Sequence, residues 1–191
     1  MIMNDKPKLV IVTGQPGSGK TTLSKELGKL LYLPVISRDE IKEGYVNTFD
    51  VPHYKLPGDT NKVATEIFYR VMDLFLSSNV SLIAEAAFQH KIWEPEIARL
   101  RNYADAFFIV CELDSDTAAR RHLQRGLSDS KREFFHGDNR VTHFKQTGEF
   151  LPPEKYEPPS IPEIRTIRVS TLDEYDPKLD VVAEQITQGW T

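Results

Sequence analysis

The sequence predicts an α/β fold in three layers, with helices on both faces of a five-stranded parallel sheet. Three observations predict it. Short apolar, β-branched runs alternate with longer segments whose apolar residues recur at helical spacing, the pattern of strand–helix–strand crossovers. The run Gly14-Gln15-Pro16-Gly17-Ser18-Gly19-Lys20-Thr21 falls between the first such strand and the first such helix, where a glycine-rich turn can aim backbone amides at a phosphate. Asp39 and Glu85 follow the second and third strands, and so reach the carboxyl edge where parallel sheets bind ligands.

The elements follow in order. Leu9-Val10-Ile11-Val12-Thr13 has the composition of a buried strand. Residues 22–31 place Leu23, Leu27, Leu30 and Leu31 at helical spacing. Leu33-Pro34-Val35-Ile36-Ser37 is a short second strand, and Arg38-Asp39-Glu40-Ile41-Lys42 opens a helix with Ser37 as its cap. Pro52, Pro57 and Gly58 make residues 48–61 a loop. Residues 62–78 form an amphipathic helix with Val63, Ile67, Val71, Leu74 and Phe75 on one face. Residues 80–85 are a third strand ending on a carboxylate, and a helix over 93–102 leads to a fourth strand over 106–113. A helix with an acidic cap covers 114–125, and residues 126–139, polar and carrying Gly126 and Gly137, read as a mobile segment. Pro152, Pro153, Pro158, Pro159 and Pro162 make 150–162 an extended connector, before a fifth strand over 165–170 and a closing helix over 177–188.

A chain of 191 residues suits one α/β domain spanning residues 1–191, with a lid over about 121–145 and the connector over about 150–163. The formal net charge of −4 argues against an extended nucleic-acid-binding face. The one cysteine, Cys111, lies in an apolar stretch; it forms no disulfide within the chain and fits a reducing cytoplasm. No apolar run approaches a membrane span, no signal peptide precedes the first strand, and residues 1–8 are a polar lead-in. The five histidines show no metal-ligand spacing. Nothing in the pattern speaks to oligomeric state.

The chemistry concentrates on three groups. In the loop, Gly14, Gly17 and Gly19 let the backbone turn its amides inward, Pro16 stiffens it, and the helix beginning at Thr21 and Thr22 adds its dipole. Lys20 then reaches β- and γ-phosphates, and the Thr21 hydroxyl ligates Mg²⁺. Asp39, at the mouth of the sheet, either accepts a proton from an attacking hydroxyl or complements a helix dipole. Arg38 and Lys42 flank it; Lys42 either holds an anionic substrate or is a solvated surface lysine. Glu85 stands where a carboxylate orients Mg²⁺ or its waters, or contacts substrate. Arg120, Arg121, Arg125 and Arg132 form a basic cluster in which Arg121 and Arg125 share a helical face, positioned to stabilise a transferring phosphoryl group from a lid. His136 and Asp138 either close over substrate or form a hydrogen-bonded loop pair. Tyr45, Phe49, Tyr54 and Phe88 either line an apolar pocket or belong to the core.

With these residues in view the chain resembles the P-loop kinases, and within them the AAA-type ATP-binding kinases related to polynucleotide kinase, the zeta toxins and chloramphenicol phosphotransferase. The resemblance rests on Gly14–Thr21, Ser37-Arg38-Asp39-Glu40-Ile41-Lys42, the segment from Leu82 to Phe88, and Arg121 with Arg125. It implies the P-loop kinase fold with a helical, mobile lid, ATP and Mg²⁺ as cofactors, and Asp39 as general base. It also implies substrate contact by Lys42, phosphate contact by Arg121 and Arg125, and packing of the loop near Ser170 and Thr171 on adenine. The expected activity is transfer of the ATP γ-phosphate to a hydroxyl of a small molecule. A 5′-hydroxyl nucleic-acid kinase and a non-catalytic ATP-binding regulator are the competing readings, the first disfavoured by the acidic charge.

Overall fold

The computed structural model describes residues 6–188; residues 1–5 of the polar lead-in and residues 189–191 lie outside the described residues. Strands β1 (Lys8–Thr13), β2 (Val35–Ser37), β3 (Leu82–Glu85), β4 (Asp105–Glu112) and β5 (Arg165–Ser170) form one sheet in the order β2-β3-β1-β4-β5. Every neighbouring pair in it is parallel, as the alternation of strands and helices predicts. Helices α1 (Lys20–Leu31), α2 (Arg38–Phe49), α3 (Thr60–Ser77), α4 (His90–Leu100), α5 (Ser115–Ser128), α6 (Ser130–His136), α7 (Asn139–Thr147) and α8 (Leu179–Gln188) connect or close it.

The apolar run of β1 is explained by burial on both faces. Leu9 and Ile11 point into a core with Phe68 and Met72 of α3, Trp93 and Ile97 of α4, and Phe108 of β4. Val10 and Val12 point the other way, onto Leu23 and Leu27 of α1, Ile167 and Val169 of β5, and Val182 and Ile186 of α8. Polar Thr13 ends the strand and is still buried: its hydroxyl donates to Ala86 O at 2.9 Å, and the Trp93 indole N–H donates to it at 3.2 Å. The carboxyl end of the central strand is thus pinned before the glycine-rich loop begins.

Three expectations need correction. The α3 core face is Thr60, Ala64, Phe68, Met72 and Leu76, not the stripe through Leu74, which is 64% exposed. The helix is apolar around much of its circumference, and the stripe containing Phe68 wins because that ring meets Phe88 and Trp93 edge-on at centroid distances of 6.1 and 6.2 Å. The loop expected over 48–61 is shortened from both sides, with α2 running to Phe49, a 3-10 turn at His53–Lys55 and α3 starting at Thr60. The segment over 126–139 is helical: Asp129 caps α6 by accepting from Lys131 N, Asp138 caps α7 by accepting from Arg140 N, and Gly137 terminates α6 in the left-handed region. The proline-rich connector has no regular structure, as expected, and Tyr156 anchors it by donating to Phe88 O at 3.2 Å.

Candidate active site

The glycine-rich loop joins β1 to α1 and lies against α5. Gly17 has φ +88°, and a Cβ there would stand 2.0 Å from Ala118 O, so no side chain fits. Gln15 Nε2 donates to Leu113 O at 2.7 Å, tying the loop to the end of β4. On its other flank the Thr171 hydroxyl donates to Ser18 O at 2.8 Å, so the loop after β5 braces the turn from below. Lys20 is buried and its Nζ donates to Gln15 O at 3.1 Å. Burial lowers its pKa, against the attraction of Glu85. An ammonium held in this way is poised to exchange a carbonyl for a stronger anionic acceptor.

The parallel register brings Ser37, Glu85 and Val12 side by side at the carboxyl edge. Ser37 was expected to cap α2; its hydroxyl donates instead to Glu85 Oε2 at 2.7 Å, and Thr21 Oγ1 approaches the same oxygen at 3.5 Å. Burial raises the Glu85 pKa, while Lys20 and the Ser37 bond pull it down. Two hydroxyls and a carboxylate converging on one point are hard oxygen donors, the set that suits Mg²⁺. Among the described residues no cluster of three His, Cys, Asp or Glu side chains offers another metal site. Asp39 opens α2 with Arg38 Nη1 3.3 Å away. Desolvation raises its pKa, but the charges of His136, Arg38 and Lys20 outweigh that, leaving the carboxyl below its ordinary value. Lys42, one turn on, is not the solvated surface lysine its sequence context suggested. It is 3% exposed, donates to His136 O at 3.2 Å, and is pushed by burial to a pKa of about 8.

These groups border one cavity of about 430 Å³, lined on the loop side by Pro16, Gly17, Gly19, Lys20, Thr21 and Thr22 and on the sheet side by Ser37, Asp39, Lys42 and Glu85. The lid side is Arg125, Arg132, His122, His136 and Asp138. The arginine pair splits. Arg125 faces the cavity, where desolvation and Arg132 lower its pKa, whereas Arg121 is not among the cavity's lining residues and donates to Thr171 O at 2.9 Å and to Leu172 O, in the segment that braces the phosphate loop. One turn of helix separates their Cα atoms, but the long side chains reach different partners. Arg120 turns outward over the Phe150 ring at 4.7 Å. His136 and Asp138 do not pair with each other: His136 Nε2 lies 2.7 Å from Glu43 Oε1, and Asp138 lies 3.1 Å from His122 Nδ1. Burial pushes His122 down to a pKa of about 4 against the pull of Asp138, so that contact joins a neutral imidazole to a carboxylate. Phe88 belongs to the core, Tyr45 stacks on Phe49 at 5.0 Å and Tyr54 is exposed, so the four aromatics form no common pocket.

A family profile described as an AAA domain (AAA_33) matches residues 9–147, more than half of the chain and every residue lining the cavity just described. The chain belongs to this AAA-domain family. Solved structures with the same fold include an inferred kinase from Chloroflexus aurantiacus, 23% identical, covering 97% of this chain and 96% of that one at a TM-score of 0.70. A sugar kinase from Janibacter sp. HTCC2649 is 17% identical, covering 95% and 93% at 0.55. The APS kinase CysC of Mycobacterium tuberculosis, solved with AMPPNP and APS, is 15% identical, covering 96% and 97% at 0.59. No curated protein matches the chain by sequence. The fold is therefore that of the P-loop kinases. No helix among the described residues is long and apolar enough to cross a membrane.

Of the residues that the sequence singled out, Pro16, Gly17, Gly19, Lys20, Thr21, Thr22, Asp39, Lys42, Glu85 and Arg125 line this one cavity. Sequence reading missed Arg132 as a lining residue, because the turn at Asp129 between α5 and α6 breaks the helical spacing that would relate it to Arg125. It also missed the Ser37–Glu85 bond, which aligning the ends of β2 and β3 would have exposed.

Proposed function

We propose that this AAA-domain protein is an ATP-dependent phosphotransferase acting on a hydroxyl of a small molecule. The observation that carries the reading is the convergence of Lys20, Asp39, Glu85 and Arg125 on one cavity at the carboxyl edge of the sheet. The loop amides, the α1 N-terminus and Lys20 would hold the β- and γ-phosphates, with Arg125 reaching the γ-phosphate from the lid. Thr21, Glu85 and Ser37 would hold Mg²⁺, which neutralises phosphate charge when bound. Asp39 accepts the proton of the acceptor hydroxyl as its oxygen bonds to the γ-phosphorus; the bond from that phosphorus to the β–γ bridging oxygen breaks, and ADP leaves with the electron pair. The depressed pKa of Asp39 keeps it ionised and available as acceptor at neutral pH. Arg121 would act at the nucleotide end, by holding the Thr171–Leu172 loop that braces the turn.

A cavity of about 430 Å³ shared by both substrates, and a net charge of −4, favour a small acceptor over a polynucleotide. The free thiol of Cys111 suits a reducing cytoplasm. Lys20→Ala should abolish transfer of labelled γ-phosphate while circular dichroism and the melting temperature stay near wild type; full activity in that variant refutes the reading. Asp39→Asn should lower kcat about 100-fold or more with the KM for ATP little changed. Unaltered kcat would remove the general-base assignment.

A further inference from the structure

Five cations, Lys20, Lys25, Lys42, Arg125 and Arg132, and five carboxylates, Asp39, Glu40, Glu43, Glu85 and Asp138, line the cavity, but they are not equally partnered. Each carboxylate that borders it lies against a neighbouring polar group, although Asp138 Oδ2, beside the neutral His122, completes no hydrogen bond. Asp39 meets Arg38 at 3.3 Å, Glu40 meets Lys25 at 2.6 Å, Glu43 meets His136 at 2.7 Å, Asp138 meets His122 at 3.1 Å, and Glu85 accepts from Ser37 at 2.7 Å. The cations are different. Among the described residues, Lys42, Arg125 and Arg132 have no carboxylate within ion-pair distance. Lys42 is spent on a neutral carbonyl, His136 O, and Arg132 Nε is buried with no hydrogen-bond partner. A buried guanidinium N–H without an acceptor costs free energy that a bound anion would recover.

The proposed phosphoryl transfer, on which this inference rests, assigns Lys20 and Arg125 to ATP. Lys42 and Arg132 are left over. They come from α2 and α6, which pack together on the side of the cavity that holds Asp39. We infer that Lys42 and Arg132 clamp an anionic group, a phosphate or a carboxylate, carried by the acceptor itself. The acceptor class is then an anionic alcohol, with its hydroxyl at Asp39 and its anion between α2 and the lid. Burial first, and then the positive charges of Arg38 and Arg132, lower the Lys42 pKa. Arg132 supplies the planar fork that phosphate and carboxylate share, and Lys42 a point charge.

The test uses the full-length protein with labelled ATP, Mg²⁺ and matched acceptors: glycerol, glycerate and glycerol 3-phosphate; ribose and ribose 5-phosphate; glucose, gluconate and glucose 6-phosphate. An anionic member should exceed its neutral partner by about 100-fold or more in kcat/KM, and the carboxylate and phosphate arms identify the anion. Arg132→Gln and Lys42→Gln should each raise the acceptor KM about tenfold with the ATP KM unchanged, and Arg132→Lys should recover part of the loss. Neutral acceptors used equally well overturn the clamp. So does an Arg132→Gln defect confined to the ATP KM, which would give that arginine to the donor. If no acceptor in the panel is phosphorylated, thermal melting decides. With the nucleotide site saturated by a non-hydrolysable ATP analogue, inorganic phosphate or acetate should raise the melting temperature beyond an equal ionic strength of KCl, and Arg132→Gln should remove the rise. No rise with either anion refutes the clamp. A rise in a protein that transfers phosphate to none of these acceptors and does not hydrolyse ATP refutes the kinase and leaves the clamp standing.

Discussion

Lys42 shows what a single residue's surroundings do to its chemistry. From sequence it is an ordinary lysine one turn into a helix, and nothing local marks it as buried. Its environment is tertiary: Arg38 and Asp39 from its own helix, Arg132 and the His136 carbonyl from α6, Asp138 at the start of α7, and His53 from the turn after α2. With the pKa pushed to about 8 by burial, Lys42 is charged below that pH and neutral above it. The KM for an anionic acceptor should therefore rise as pH increases through about 8, while the KM for ATP stays level across the same interval. Steady-state titration of each substrate from neutral to mildly alkaline pH checks this. Lys42→Arg, whose charge does not titrate in that range, should flatten the profile. Phosphate-loop residues were legible because their chemistry is local, a turn set by glycines; Lys42 and Arg132 were named from sequence, but their burial and partners were not readable, because their neighbours lie far away in the chain.

At the scale of elements the lid is the instructive case. Its glycines suggested looseness, yet Gly137 and Gly148 end α6 and α7 with φ of +60° and +74°, the use that glycine has at a helix terminus. Asp129 and Asp138 cap the two helices and set their starts. A third glycine, Gly126 in α5, lets α7 approach: a Cβ there would fall 2.4 Å from Val141 Cγ2. Val141 is 1% exposed and has little room to yield. Gly126→Ala should loosen the α5–α7 contact by about 1–3 kcal/mol, the usual cost of forcing an extra methyl into a packed site. Hydrogen exchange should report it as faster exchange in α7 with β1 and β4 unchanged, and adding Val141→Ala should restore part of the protection. Uniform protection in Gly126→Ala would show that α7 does not depend on this contact.

For the whole molecule, the alternation of strands and helices was enough to predict a parallel sheet, because a crossover helix is the usual way to return the chain for parallel pairing. The strand order β2-β3-β1-β4-β5 was not readable, since it depends on which face each helix covers. That choice rests on particular side chains such as Phe68 on one face and Leu23 on the other. Nor could the sequence show that Thr171, after the fifth strand, reaches back to hold Ser18. Global topology and the site are joined there: the turn at the start of the chain is finished by a residue near its end.

That joining sets an order of events during synthesis. On the ribosome residues 1–147 emerge first, with the glycine-rich loop, the acidic groups and the lid helices all present. At that moment β4 has an open hydrogen-bonding edge from Phe107 to Glu112, and Leu23 and Leu27 lack the cover of Val182 and Ile186. An unpaired apolar edge is a template for other chains. A version ending at Thr147 should therefore aggregate on expression although it keeps nearly every residue of the proposed chemistry. Soluble, monodisperse behaviour of that fragment on size-exclusion chromatography would show that β5 and α8 are dispensable. The nascent protein is expected to be most vulnerable in the interval between completing its reactive groups and receiving its final strand.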